Sequence, residues 1–276
     1  MLGILPYLLA AALYLSLAAY FWRGAAGSPT LEAAPARHGA LTRSWLLAAL
    51  VCHGLTVAGE MFGDEHLRFG FAVSISLMLW LALAFYWIES YYMRMDGLLF
   101  LGLPLAAVGA LLPLVFPGQH LLGYANELLF RAHFLVAMLA YSLFTLAALH
   151  ALLMMAAERS LHRGRLPRLI AGLPPLLTME ALLFRLIHIA FVLLTLTLVS
   201  GIFFSEELFG KAFGFSHKTV FAIISWLIFA ALLLGRHLRG WRGRLALRWT
   251  LAGFCALLLA YVGSRFVLEV LLHRGA

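Results

Sequence analysis

Long apolar runs alternate with short polar connections along the whole chain. Eight runs are long enough to cross a bilayer, at 2–22, 44–62, 69–88, 97–116, 132–156, 180–204, 218–235 and 248–272, because a spanning helix needs about 20 mostly apolar residues. A membrane barrel would show segments of about ten residues with alternating polarity instead. The pattern predicts an all-α polytopic membrane bundle of about eight transmembrane helices. Connections are short except 23–43 and 157–179, which carry Pro, Gly and Arg and read as surface loops. The second has room for a short amphipathic helix. Thr178, with Pro174 and Pro175 before it and Glu180 after it, is the expected N-cap of the sixth helix. The first run is too long for the apolar part of a leader peptide and has no basic residues before it, so it reads as a first span.

Composition agrees with this picture. Hydrophobic types make up 64% of the 276 residues and charged types only 12%, against roughly 25% in soluble domains. A soluble enzyme, a disordered chain and a disulfide-stapled module are excluded. The formal net charge of +8 is carried in the connections, so it sets topology and does not point to nucleic acid. One set of alternating connections holds Arg23, Arg37, Arg43, Arg94, Arg159, Arg163, Arg165, Arg168, Arg236, Arg239, Arg242, Arg244 and Arg248. The other set, with the C-terminus, holds only Arg68, Arg131, Lys211, Lys218 and Arg274. The rich side is expected in the cytoplasm, which puts both termini outside. Trp22, Trp45, Trp87, Trp241 and Trp249 fall near the same inner boundary, as an aromatic belt does. Cys52 and Cys255 sit inside apolar runs and read as small core residues.

Eleven histidines are unusual in so apolar a chain, and ionisable residues inside spans are costly and mark function. By depth, His133, His217 and His273 fall at the outer ends of the fifth, seventh and eighth helices. His53 is near mid-membrane, and His150 and His188 are in the inner third. Neutral imidazoles from facing helices can ligate haem iron, while a boundary histidine can equally be an interface residue. Arg265, Glu269 and His273 are spaced i, i+4, i+8 along one flank. Glu269 is placed to hold the far nitrogen of His273, or to neutralise Arg265. Arg131 and Lys218 each lie beside an outer histidine, placed for haem propionates or as plain boundary charges. His53 and Glu60 share a helix face and suit a proton relay, a ligand or a structural hydrogen bond. The zinc His-Glu-x-x-His motif, the P-loop and the G-x-S-x-G elbow are absent from the sequence, and no enzyme activity is expected.

Three stretches then resemble a known family. Arg131-Ala132-His133 leads into Tyr141-Ser142. Gly201 to Gly210, followed by Lys211 to Thr219 and Trp226, frames an aromatic element. Arg236, the Gly240-Trp241-Arg242-Gly243 turn, Tyr261-Val262-Gly263 and His273 form the last segment. Over residues 130–273 the chain resembles the cytochrome c assembly family of haem-handling membrane proteins, closest to its small HemX-like branch. The family's element is rich in Trp and ends in Trp-Asp. Here the corresponding stretch, 201–219, is degenerate and carries Phe209, Phe213, Phe215 and Ser216. The family's histidine at the inner end of the penultimate helix falls near Leu234, with His237 close by.

The resemblance divides the chain into an N-terminal four-span half, 1–130, and a cytochrome c assembly-like half, 131–276. It implies a bacterial inner-membrane protein that holds haem b near the outer face. His133 and His273 would be the iron ligands, with His217 as a substitute and His53 as a candidate inner ligand. Phe209, Phe213 and Phe215 would pack on the porphyrin, and Arg131 and Lys218 would meet its propionates. Glu269 and Arg265 would support His273. A protein partner in cytochrome c maturation or haem synthesis is implied, with the basic turn 236–248 as its contact. Two other readings stand beside this one: a solute or ion transporter using His53 and Glu60, and a cofactor-free membrane regulatory subunit.

Overall fold

The computed structural model describes residues 3–26, 36–62, 69–93, 95–116, 128–163, 173–209 and 217–267. They form α1 (Leu5–Ala26), α2 (Ala36–Phe62), α3 (Phe71–Glu89), α4 (Asp96–Val115), α5 (Leu128–His162), α6 (Leu176–Phe209), α7 (His217–Arg239) and α8 (Gly243–Leu258). The last helix continues through a π-helical segment, Leu259–Gly263, and a closing turn, Ser264–Phe266. No strand occurs among the described residues. All eight helices are long and apolar enough to cross a membrane, as the run pattern predicts. The longest, α5, has 35 residues. At 1.5 Å rise per residue it extends about 50 Å, well beyond the roughly 30 Å apolar layer.

Cross-helix contacts show successive helices running in opposite directions. At one end Tyr7 of α1 donates to Glu60 near the end of α2, and His133 near the start of α5 meets Ser200 near the end of α6. At the other, arginine-rich end, Trp87 Nε1 donates to the Arg43 carbonyl at 3.0 Å. There Arg244 Nε also reaches Glu158 at 2.7 Å. The core is centred on α5, which packs along α3, α6 and α8. One continuous cluster takes Tyr14 from α1, Leu99 from α4, Phe144 from α5, Leu183 from α6 and Phe229 from α7. Phe144 stacks on Phe229 with ring centroids 4.0 Å apart. Gly253 of α8 makes room for this pair, since a Cβ there would lie 2.8 Å from the Phe229 ring.

The arginine-rich end is pinned by Glu180. Its nearly buried carboxylate accepts from Arg236, whose guanidinium also covers the Phe184 ring at 4.5 Å. The α7–α8 turn is built on Gly240 and Gly243, at φ +65° and +55°, a region open mainly to glycine. Trp241 in that turn packs into the space left by Gly235 and against Trp249. The expectation for Thr178 is corrected here. The carbonyl of Pro175 already accepts from Thr178 and Met179, so α6 begins before Thr178 and that residue lies inside the first turn.

Candidate functional site

A cavity of about 330 Å³ opens among α5, α6, α7 and the π-helical end of α8, at the end opposite the arginines. Its position follows from the sequence of α5. His133, Ala137 and Tyr141 are four residues apart and fall on one helix face, and all three line the cavity. The small residues Ala137, Gly201, Ala222 and Ala260 leave the space. Phe69, Phe130, Phe134, Tyr141 and Tyr261 form its aromatic walls. Phe69 and Phe134 meet edge to face at 4.6 Å. Phe69 also approaches Tyr261 at 6.1 Å, and Tyr141 approaches Tyr261 at 6.4 Å.

His133 is held by a hydrogen bond, Nδ1 to Ser200 Oγ, of 2.7 Å. The single Ser200 proton goes to the backbone, to the Leu196 carbonyl at 2.7 Å with the Thr197 carbonyl at 3.1 Å. With its proton on the backbone, Ser200 Oγ can accept from His133 Nδ1–H. In that tautomer the basic lone pair is on Nε2, a nitrogen by which a neutral imidazole binds a metal. Gly201 lies against the ring, since a Cβ there would sit 3.5 Å from His133 Cε1. Lys218 lines the cavity too, with its ammonium 5.9 Å from the Tyr261 ring centre. The π-helical segment Leu259–Gly263 contains both Ala260 and Tyr261. Such segments insert a residue, re-aim the side chains that follow, and occur frequently at functional sites.

The structure brings His133 and Lys218 together at this cavity. His217, at the start of α7, and Arg131 are exposed and do not line it. His53 lies apart from it and is fully buried. Its Nδ1 meets Tyr14 Oη at 3.2 Å and its Nε2 meets Ser76 Oγ at 2.9 Å. Both nitrogens are thus engaged between α1, α2 and α3, and the inner-ligand expectation finds no open coordination position there. Glu60 is taken by Tyr7. His188 is exposed on α6 with Nδ1 bonded to the Phe184 carbonyl at 2.6 Å. His273, Glu269, Phe213 and Phe215, and the side chains of Phe209 and Arg265, lie outside what is described.

Several cavity residues were not singled out in the sequence. Ser200 is one of many hydroxyls on apolar helices, and only its approach to His133 distinguishes it. Phe69, Phe130 and Phe134 lie in or beside apolar runs, where nothing in the local pattern distinguishes them from other aromatics. A 3.6-residue stripe carrying His, Ala and Tyr on α5 was the available signal for this face.

Comparison with known proteins places these features in a family. The family model described as "Cytochrome C assembly protein" matches residues 40–272, well beyond the 130–273 stretch that carries the sequence resemblance. The inner membrane protein YpjD of Escherichia coli (strain K12) is 34% identical over 139 residues, 50% of this chain and 52% of YpjD. The cytochrome c biogenesis protein CcsA of Prochlorococcus marinus (strain MIT 9515) is 38% identical over 89 residues, 32% of this chain and 28% of CcsA. CcsA of Gloeobacter violaceus is 33% identical over 98 residues, 36% of this chain and 29% of CcsA. The chain thus spans about half the length of YpjD and less than a third of CcsA.

Proposed function

We propose that this chain, which belongs to the cytochrome c assembly protein family, is a haem-handling membrane protein that holds haem b in the cavity at His133. The observation that carries this reading is the Ser200–His133 hydrogen bond, which sets the imidazole tautomer inside an aromatic-walled cavity. The residues present fit the group. A porphyrin needs flat apolar contact, which Phe69, Phe134, Tyr141 and Tyr261 supply. It needs a neutral nitrogen ligand, which His133 supplies. Its propionates need a cation, and Lys218 stands at the cavity wall.

In this reading His273 is the second iron ligand, supported by Glu269 and Arg265, and His217 is the substitute. Phe209, Phe213 and Phe215 extend the aromatic shelf, and Arg131 joins Lys218 at the propionates. Bound haem would supply a redox-active iron. The chain supplies orientation, exclusion of water and one or two imidazoles, without turning over a substrate. The proposed setting is the bacterial inner membrane, with the arginine-rich end in the cytoplasm and the cavity near the outer face. The HemX-like placement belongs to the same proposal. The basic turn 236–248 is the proposed contact for a partner in cytochrome c maturation or haem synthesis. The transporter reading is not favoured, because His53 and Glu60 are spent on hydrogen bonds to Tyr14, Ser76 and Tyr7.

The test is a haem titration of the purified full chain in mild detergent, followed at the Soret band. Ala222→Phe fills the cavity and leaves His133 in place. The expected result is saturable low-spin binding near one haem per chain, lost in both Ala222→Phe and His133→Ala. Binding unchanged by Ala222→Phe would move haem out of this cavity. No binding by a folded chain would favour the cofactor-free regulatory subunit.

A further inference from the structure

His150, the buried imidazole of α5, stands in a different chemical setting from His133, at the arginine-rich end. His150 and Met95 are both fully buried. His150 Nδ1 lies 3.1 Å from the Leu146 carbonyl oxygen, and Nε2 lies 3.1 Å from Met95 Sδ. A carbonyl only accepts, and it accepts far better than a thioether. The ring proton therefore belongs on Nδ1, and the Nε2 lone pair faces sulfur. A thioether has no proton to give. In that tautomer an imidazole lone pair and a soft thioether sulfur face each other in a dry core.

Further thioethers are buried in the same core. Met154 lies one turn beyond His150 on α5 and is buried, and Met179 at the start of α6 is also buried. Both belong to the cluster that contains Met95. The start of α4 is packed against this part of α5, since a Cβ on Gly97 would meet Leu153 at 3.2 Å and Leu173 at 2.9 Å.

We propose that His150 Nε2 and Met95 Sδ form a binding site for a soft monovalent cation, Cu(I). Imidazole with thioether selects Cu(I) over harder ions. Neutral ligands in an apolar core also disfavour a divalent ion, whose burial costs more than that of a single charge. The ion would take the place between the two lone pairs. A small rotation of the flexible Met95 side chain opens it. This site uses none of the residues assigned to haem.

The test is an anaerobic titration of the purified full chain with Cu(I) against a chromophoric Cu(I) chelator, together with X-ray absorption at the copper edge. Met95→Leu conserves volume and removes the sulfur. His150→Leu removes the nitrogen. The expected result is one Cu(I) per chain with nitrogen and sulfur in its coordination shell. Binding should be at least about tenfold weaker in Met95→Leu, similarly weakened in His150→Leu, and unchanged in His133→Ala. Should His150→Leu fail to fold, the Met95→Leu comparison decides alone. The proposal is overturned if the wild type cannot compete with the chelator, or if Met95→Leu binds as the wild type does. It is equally overturned if His150→Leu loses haem while Cu(I) binding is unaffected. Loss of haem binding in His133→Ala with Cu(I) retained would separate the two sites.

Discussion

Ser200→Ala isolates the contact that prepares His133. Ser200 Oγ is 2.7 Å from His133 Nδ1, and both side chains are partly buried. The substitution removes the acceptor and leaves the helix intact, because the Ser200 hydroxyl otherwise serves only carbonyls of its own helix. A neutral hydrogen bond contributes about 1 kcal/mol net, which corresponds to about a fivefold change in affinity. Loss of the partner that orients a metal-bound histidine costs about 10- to 100-fold. The expected outcome is haem affinity reduced by about five- to tenfold, with the low-spin spectrum kept. Ser200→Thr retains the hydroxyl and its backbone bond, so it should restore most of the loss. The assay is haem dissociation from detergent-solubilised protein to an excess of apomyoglobin. Equal dissociation rates for wild type and Ser200→Ala would refute the tautomer argument. So would a Ser200→Thr variant as weak as Ser200→Ala.

Other outcomes follow from the packing. Arg236→Met should cost about 1–3 kcal/mol, since it removes the main partner of the nearly buried Glu180 carboxylate and leaves it only Arg242 at 3.8 Å and the Gly243 N–H at 3.5 Å. Glu180→Gln should cost less, because Arg236 keeps its contacts with Phe184 and the Trp241 carbonyl; thermal melts of the two variants in one detergent read the asymmetry. Gly253→Val should cost about 1–3 kcal/mol by pressing on the rigid Phe144–Phe229 stack. Gly109→Ala meets only the flexible Leu79 tip at 2.7 Å and should cost less in the same melts. Tyr14→Phe removes one interhelical bond to His53 and should cost about 0.6 kcal/mol, with haem content unchanged.

The eight spans were legible because apolar run length alone decides whether a helix can cross a bilayer. The split of arginines between the two sets of connections was equally legible. Helix ends were less so. Pro175 starts α6 early because its carbonyl accepts from Thr178 and Met179, and a cap rule keyed to Thr178 does not detect that. His133 and Lys218 were picked out by charge and position, and the fold brings both to one cavity. Their partners were hidden, since Ser200 is 67 residues away in sequence and spacing along a chain does not give distances between helices. The same reason hid the Tyr14–His53–Ser76 cluster, which takes one residue from each of three helices. The π-helical segment also escaped the pattern, because an inserted residue breaks the 3.6 period on which a face is read.

The claim at the centre is that haem is held through His133, not through the buried His53. The most direct measurement is the haem content of wild type, His133→Ala and His53→Ala, purified side by side from haem-replete cells and quantified as pyridine haemochrome. The expected result is near one haem per chain in wild type and in folded His53→Ala, with little or none in His133→Ala. Full occupancy in His133→Ala, or loss confined to His53→Ala, would contradict it.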